Sequence, residues 1–223
     1  MRFAIGCVAL LLVVAIIFGI WIVGVRNHLV VLDQGVQSQW AQVENDYQRR
    51  YDLIPNLVRT VQGAANFEKS TLEAVVNARA RVGQVTMQGG GAPGTQSNTP
   101  NSPQAMAQFE QAQGALTSAL SRLLVVVERY PDLKSNQNFL ELQSQLEGTE
   151  NRIAVERRRY NEVVQQFNSS VMKFPANLVA NMFGFAPKAY FKGAAGSSVA
   201  PEVNFQPFGN PQPAPATATT GTR

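Results

Sequence analysis

Along the chain, hydrophobic positions change their spacing at residue 26. From Phe3 to Val25 no charge interrupts the apolar run, and Arg2 and Arg26 bracket it. As an α-helix rising ~1.5 Å per residue, the run reaches about 35 Å, against a bilayer hydrocarbon core of about 30 Å. Trp21 stands where an interfacial anchor belongs. Past Arg26 the apolar residues thin into steps of three and four: Leu29, Leu32, Val36, Trp40, Val43, Tyr47, Tyr51, Ile54, Val58 and Val61. This is one stripe of an amphipathic helix. No Gly or Pro separates span from stripe before Gly35, so a continuous rod is expected. Pro55 removes the amide that would bond the Tyr51 carbonyl and predicts a kink there.

The same period returns three more times. Asn66 to Ser70 reads as a turn, with Ser70 and Glu73 as a capping box opening a helix that carries Leu72, Val75, Val76, Ala80 and Val82. A third helix is expected from Gln104 to Arg129, ended by Tyr130-Pro131-Asp132. The fourth and longest repeats Phe139, Leu142, Leu146, Thr149, Ile153, Glu156, Tyr160, Val163, Phe167, Val171 and Phe174. A short apolar segment, Asn177 to Phe191, comes next. No alternating strand pattern occurs. The expected fold is all-α: an N-terminal transmembrane helix followed by an up-and-down four-helix bundle with long helices. Residues 1–26 form the anchor and 27–192 the bundle, with a flexible Gly/Pro-rich insert at 88–103. The Ala/Pro/Thr/Gly-rich residues 193–223 are expected to be a disordered tail.

Composition narrows the alternatives. A cleaved secretory signal would carry a shorter apolar core and a small-x-small site, and Gly19 to Gly24 offers no such site. Arg2 with the α-amine on one side, and Arg26 on the other, lean by one charge towards an extracytoplasmic domain on a single-pass inner-membrane protein. The net charge of +4 comes without a long Lys/Arg run, so no nucleic-acid partner is expected. One cysteine (Cys7) and one histidine (His28) are too few for the usual multi-ligand metal centres, and His28 borders the apolar run. The glycines from Gly89 lack the Gly-Lys-Ser/Thr of a phosphate loop. No catalytic residue, cofactor or metal site is expected, and the chain is not read as an enzyme.

Several segments resemble the LemA family. They are Arg49-Arg50-Tyr51-Asp52-Leu53-Ile54-Pro55-Asn56-Leu57-Val58, Glu128-Arg129-Tyr130-Pro131-Asp132-Leu133-Lys134 with Asn138-Phe139, Thr149-Glu150-Asn151-Arg152-Ile153-Ala154, Arg159-Tyr160-Asn161, and Phe174-Pro175 with Phe183-Gly184-Phe185. The resemblance covers roughly Arg2 to Lys192, with these segments in order along it. The resemblance implies a bacterial membrane protein with an anchor, a four-helix bundle and no catalytic residues. Ties of some relatives to magnetosomes or to a membrane protease gene point to membrane organisation or envelope quality control.

An up-down bundle also supplies a ruler. Arg49 and Arg50 would stand roughly 35 Å beyond the membrane, level with Glu147 and Glu150 on the last long helix. Arg157, Arg158 and Arg159 would face Glu44 and Asp46. These are candidate interhelical ion pairs, or else solvated faces, since exposed pairs contribute only about 0–1 kcal/mol. The chain's return to the bilayer makes Lys173, Phe174, Leu178, Met182, Phe183, Phe185, Lys188, Tyr190, Phe191 and Lys192 a candidate membrane interface. The competing reading is that this segment caps the open end of the bundle. The expected function is a membrane-anchored scaffold or adaptor whose partners are membrane lipid, other membrane proteins or a second copy. The alternative is a membrane-tethered sensory or regulatory bundle that binds a ligand.

Overall fold

The computed structural model describes residues 2–63, 67–89 and 102–193, with side chains placed from residue 10 and up to residue 85 before the gap. The expected insert lies mostly, and the expected tail almost wholly, outside the described residues. The chain divides into a unit of Met1–Phe191 and a C-terminal unit of Lys192–Arg223, and every described helix belongs to the first. Among the described residues there are six helices and no strand: α1 (Arg2–Gln62), α2 (Lys69–Gly89), α3 (Pro103–Val127), α4 (Pro131–Lys134), α5 (Gln137–Met172) and α6 (Ala176–Phe183). The all-α class holds.

The apolar run and the first amphipathic stripe form one helix, α1. It contains a stretch long and apolar enough to cross a membrane, and none of that stretch is packed inside the fold. The stripe turns inward only from Leu29, which is 1% exposed. α1 continues through Pro55 to Gln62. The Tyr51 carbonyl that Pro55 leaves without its helical donor accepts a bond from Arg79 Nε of α2 at 3.3 Å. The Arg79 guanidinium also lies 3.7 Å from the centroid of the Tyr51 ring. The proline thus frees an acceptor that joins two helices.

Two starts differ in detail from the sequence pattern. α2 begins at Lys69, one residue before the expected cap, and the Ser70 hydroxyl donates to Glu68 at 3.0 Å. α3 is capped by Ser102, whose oxygen accepts from the Ala105 amide, with Pro103 in the first turn where its missing amide costs nothing. α5 opens on Asn136, whose side chain accepts from the amides of Asn138 and Phe139. The segment expected merely to end the third helix forms the short α4.

The long helices are unequal, and this shapes the core. α5 runs antiparallel against α1, with Arg50 opposite Glu150 and Gln39 opposite Glu156. α2 and α3 form a shorter antiparallel hairpin, closed at one end by Arg129–Glu68 and by Phe67 against Tyr130. The membrane-distal core draws on all four of these helices, around Ile54, Leu57, Val75, Leu116, Leu123, Phe139 and Leu146. Nearer the anchor the hairpin contributes Met106 and Phe109 from the start of α3, and Val85 packs against them. The remaining apolar surface of α1 and α5 is covered by α6 and by the extended chain beyond it.

Candidate functional site

Lys173 ends α5, and Phe174-Pro175, joined by a cis peptide bond, turns the chain into α6. The sharp corner leaves side chains on its outer side without cover. Phe174 is 79% exposed, Leu178 61% and Met182 62%. Phe183 is partly exposed and lies under the Arg26 guanidinium, 5.3 Å from its ring centroid. Val179 and Ala180, on the inner face of α6, are buried. Lys173 is exposed.

Beyond α6 the chain reverses. Gly184 has φ +76°, a left-handed conformation that only glycine adopts without strain, and its amide closes the helix on Ala180 and Asn181. The chain then climbs along α5, away from the anchor. Asn168 donates to the Lys188 carbonyl at 2.9 Å and accepts from the Lys188 amide at 2.7 Å. Asn161 does the same for Phe191, at 3.0 and 2.8 Å. The spacing explains the fit. Two helical turns between Asn161 and Asn168 span about 10.5 Å, and three extended residues from Lys188 to Phe191 span about 10 Å. Each asparagine therefore serves a backbone donor and acceptor that burial would otherwise orphan. The Tyr160 hydroxyl adds a bond to the Ala189 carbonyl at 3.3 Å.

This strap packs Phe185, Lys188 and Phe191, three residues of the membrane interface expected from sequence, onto α1 and α5 instead. Phe191 is 5% exposed, stacked on Trp40 at 5.8 Å and edge-on to Tyr160 at 5.3 Å, with Arg157 over its face. Lys188 pairs with Asp33 of α1 at 3.0 Å, and Phe185 packs on Phe167. Tyr190, between the two gripped residues Lys188 and Phe191, is partly exposed. Lys192 belongs to the next unit. The unpaired α1–α5 surface required a filler, and these apolar residues supply it. Lys173, Phe174, Leu178, Met182 and Phe183 remain at the level where α1 meets its apolar run.

Of the four residues expected in ion pairs, the structure joins two. Arg50 is 1% exposed; it donates to Glu150 at 2.5 Å, to Thr117 at 3.0 Å and to Gln113. Its ring neighbour is Tyr47, 5.0 Å away, and its Nε has no partner among the described residues. Arg49 is exposed and forms no ion pair among the described residues, and Glu147 accepts from Gln143 of its own helix. The arginine triplet does not face Glu44 and Asp46. Arg157 bonds Glu110 of α3 at 2.9 Å, Arg158 and Arg159 pair within α5, and Asp46 takes Arg152 instead. Helical phase decides this, because the triplet spans most of a turn and only one of its members points at α3. Burial pushes the phenols of Tyr160 and Tyr47 above their usual range, the two nearby arginines opposing it at Tyr47.

Two cavities open on these features. One, of about 300 Å³, lies between α3 and α5 with Leu57 of α1 in its wall, and is lined by Thr117, Leu120, Leu146, Glu147 and Glu150. The other, of about 420 Å³, lies where α1 passes the α5–α6 corner. Among the described residues, no group of three or more His, Cys, Asp or Glu is placed to hold a metal.

The sequence model of the LemA family matches residues 39–205. Magnetosome protein MamQ 2 of Paramagnetospirillum magneticum is 28% identical over 179 residues, covering 74% of this chain and 64% of that protein. Protein LemA of Metamycoplasma hominis is 23% identical over 172 residues, 77% of this chain and 71% of its own length. Magnetosome protein MamQ of Magnetospirillum gryphiswaldense is 26% identical over 178 residues, again 74% and 64%. The chain thus spans less than two thirds of these MamQ relatives.

Proposed function

This chain belongs to the LemA family, and from that premise we propose that it is a membrane-anchored, non-enzymatic scaffold or adaptor that presents a helical surface at a set height above a bilayer. One observation carries the reading: α1 is at once the apolar span and a core helix of the domain. A rod without a linker transmits the orientation of the membrane to everything packed on it, and from Arg26 to Gln62 it stands off by roughly 54 Å. The polar side chains of Arg50, Asn161 and Asn168 are engaged in holding helices and strap together. Exposed apolar side chains far from the anchor support the reading: Val125 of α3 is 71% exposed and Leu140 of α5 49%. Relatives named as magnetosome proteins favour a task in membrane organisation; envelope quality control is the neighbouring possibility.

The test is photo-crosslinking in native membranes from Val125 and Leu140 of the full chain, followed by size analysis. Discrete products, either a homodimer or an adduct with a defined membrane protein, are expected. A lone monomer from both positions rejects the scaffold. The second reading, a sensory bundle, is favoured by the cavity between α3 and α5. Leu120→Trp would fill that cavity. It abolishes the response of a sensor and leaves the crosslinks of a scaffold in place.

A further inference from the structure

We propose that the cavity where α1 leaves the bilayer is a headgroup site for an anionic phospholipid. The proposal rests on the reading of α1 as a membrane span and goes beyond the scaffold role. Trp21, Val25 and Leu29 of α1 and Ala176 of α6 give the cavity apolar walls. Gly24 borders its open space, where a Cβ would meet no atom within 4 Å. Lys173 and His28 supply its nitrogen groups, and neither has a partner among the described residues. Its volume, about 420 Å³, falls in the roughly 300–1,000 Å³ range of small-ligand sites. It has room for a phosphate and glycerol, while acyl chains would continue down the exposed apolar face of α1.

Charge selects the ligand. No carboxylate occurs from Phe3 to Leu32 or from Val163 to Ala200. Asp33, the first acid after the apolar run, is committed to Lys188. Arg26, held over Phe183, and Lys173 therefore set a positive field at headgroup level, with no anion among the described residues to balance it. The corner residues Phe174, Leu178 and Met182 flank the same level and fit the acyl boundary. A zwitterionic lipid would satisfy the apolar walls but leave the two cations uncompensated. An anionic one satisfies both, and a lysine at a bilayer surface enriches such lipids about fivefold.

The test uses the full chain in phosphatidylcholine vesicles doped with acyl-brominated phosphatidylglycerol or acyl-brominated phosphatidylcholine at equal mole fraction. Brominated chains quench nearby indoles. Trp40 stands roughly 28 Å further along α1 and serves as the unquenched background, and Trp21→Phe identifies the quenchable part. Phosphatidylglycerol is expected to quench Trp21 several-fold more effectively, and Lys173→Gln to remove most of that preference without altering the helical signal. Equal quenching by both lipids overturns the site. So does loss of the preference on adding inorganic phosphate at constant ionic strength, which would make a soluble anion the ligand. Absence of quenching by either lipid in reconstituted vesicles is a different failure, because it removes Trp21 from the bilayer and with it the span itself.

Discussion

Arg50 shows how a single residue is held by unequal partners. Its guanidinium is buried, whereas the Glu150 side chain is 38% exposed. Deleting either end breaks the same bond, but the charge left behind differs. Glu150→Ala leaves a buried cation with neutral neighbours alone, Gln113, Thr117 and the Tyr47 ring, a class of change that costs about 3–5 kcal/mol. Arg50→Met leaves a carboxylate that water can reach and fills much of the vacated volume, so a cost of about 1–2 kcal/mol is expected. Urea unfolding of the two variants checks the order, and equal losses would contradict it. Tyr160 gives a pH dependence with a definite sign. Its folded ionisation is pushed above the ordinary value of 10.0 by burial. The unfolded chain therefore loses that proton first, and stability falls as pH rises past about 10. Thermal midpoints between pH 8 and pH 11, taken as about the usable range, should decline less steeply in Tyr160→Phe, at the expense of the Ala189 bond.

Among the elements, the link between α1 and α2 turns a helix defect into a tertiary contact. Pro55 leaves the Tyr51 carbonyl free, and Arg79 takes it. Arg79→Met on its own orphans that carbonyl and should cost about 1–2 kcal/mol. With Pro55→Ala the helix regains its own donor, so the same Arg79→Met change should cost markedly less. A double-mutant cycle measures the difference, and strict additivity would show that the two residues act independently. The strap is a second element whose placement depends on spacing. Asn161 and Asn168 lie two turns apart on α5 and grip Lys188 and Phe191 three residues apart. Asn168→Ala should cost about 1–3 kcal/mol, since two part-buried backbone groups of Lys188 lose their partners together. Faster amide exchange confined to the strap is the measurement, and unchanged protection at Lys188 would refute it.

For the molecule as a whole, the anchor and the domain are expected to stay together. After alkaline carbonate extraction the full-length chain should remain in the membrane pellet, and a trimmed form in the supernatant would contradict the span. The apolar run and the three-and-four period of α1, α2, α3 and α5 were readable from residue order, because each is a local property of one helix in a polar or apolar surrounding. The constant helical rise set Arg50 level with Glu150, which the structure joins, but set Asp46 level with Arg157 to Arg159, where the structure gives it Arg152. The fate of the segment after Phe183 was not readable. Phe174, Leu178, Phe185 and Phe191 are alike as a string, yet the first two face outward and the last two complete the core. That division depends on α2 and α3 being too short to cover α1 and α5, and on Gly184 turning the chain back. The same holds for the arginine triplet, where helical phase against α3 chose Arg157. Sequence determined which stretches coil and which face of each is greasy, because periodicity is written along the chain. Only tertiary structure decided which greasy face found a partner, because that depends on the unequal lengths and angles of helices distant in sequence.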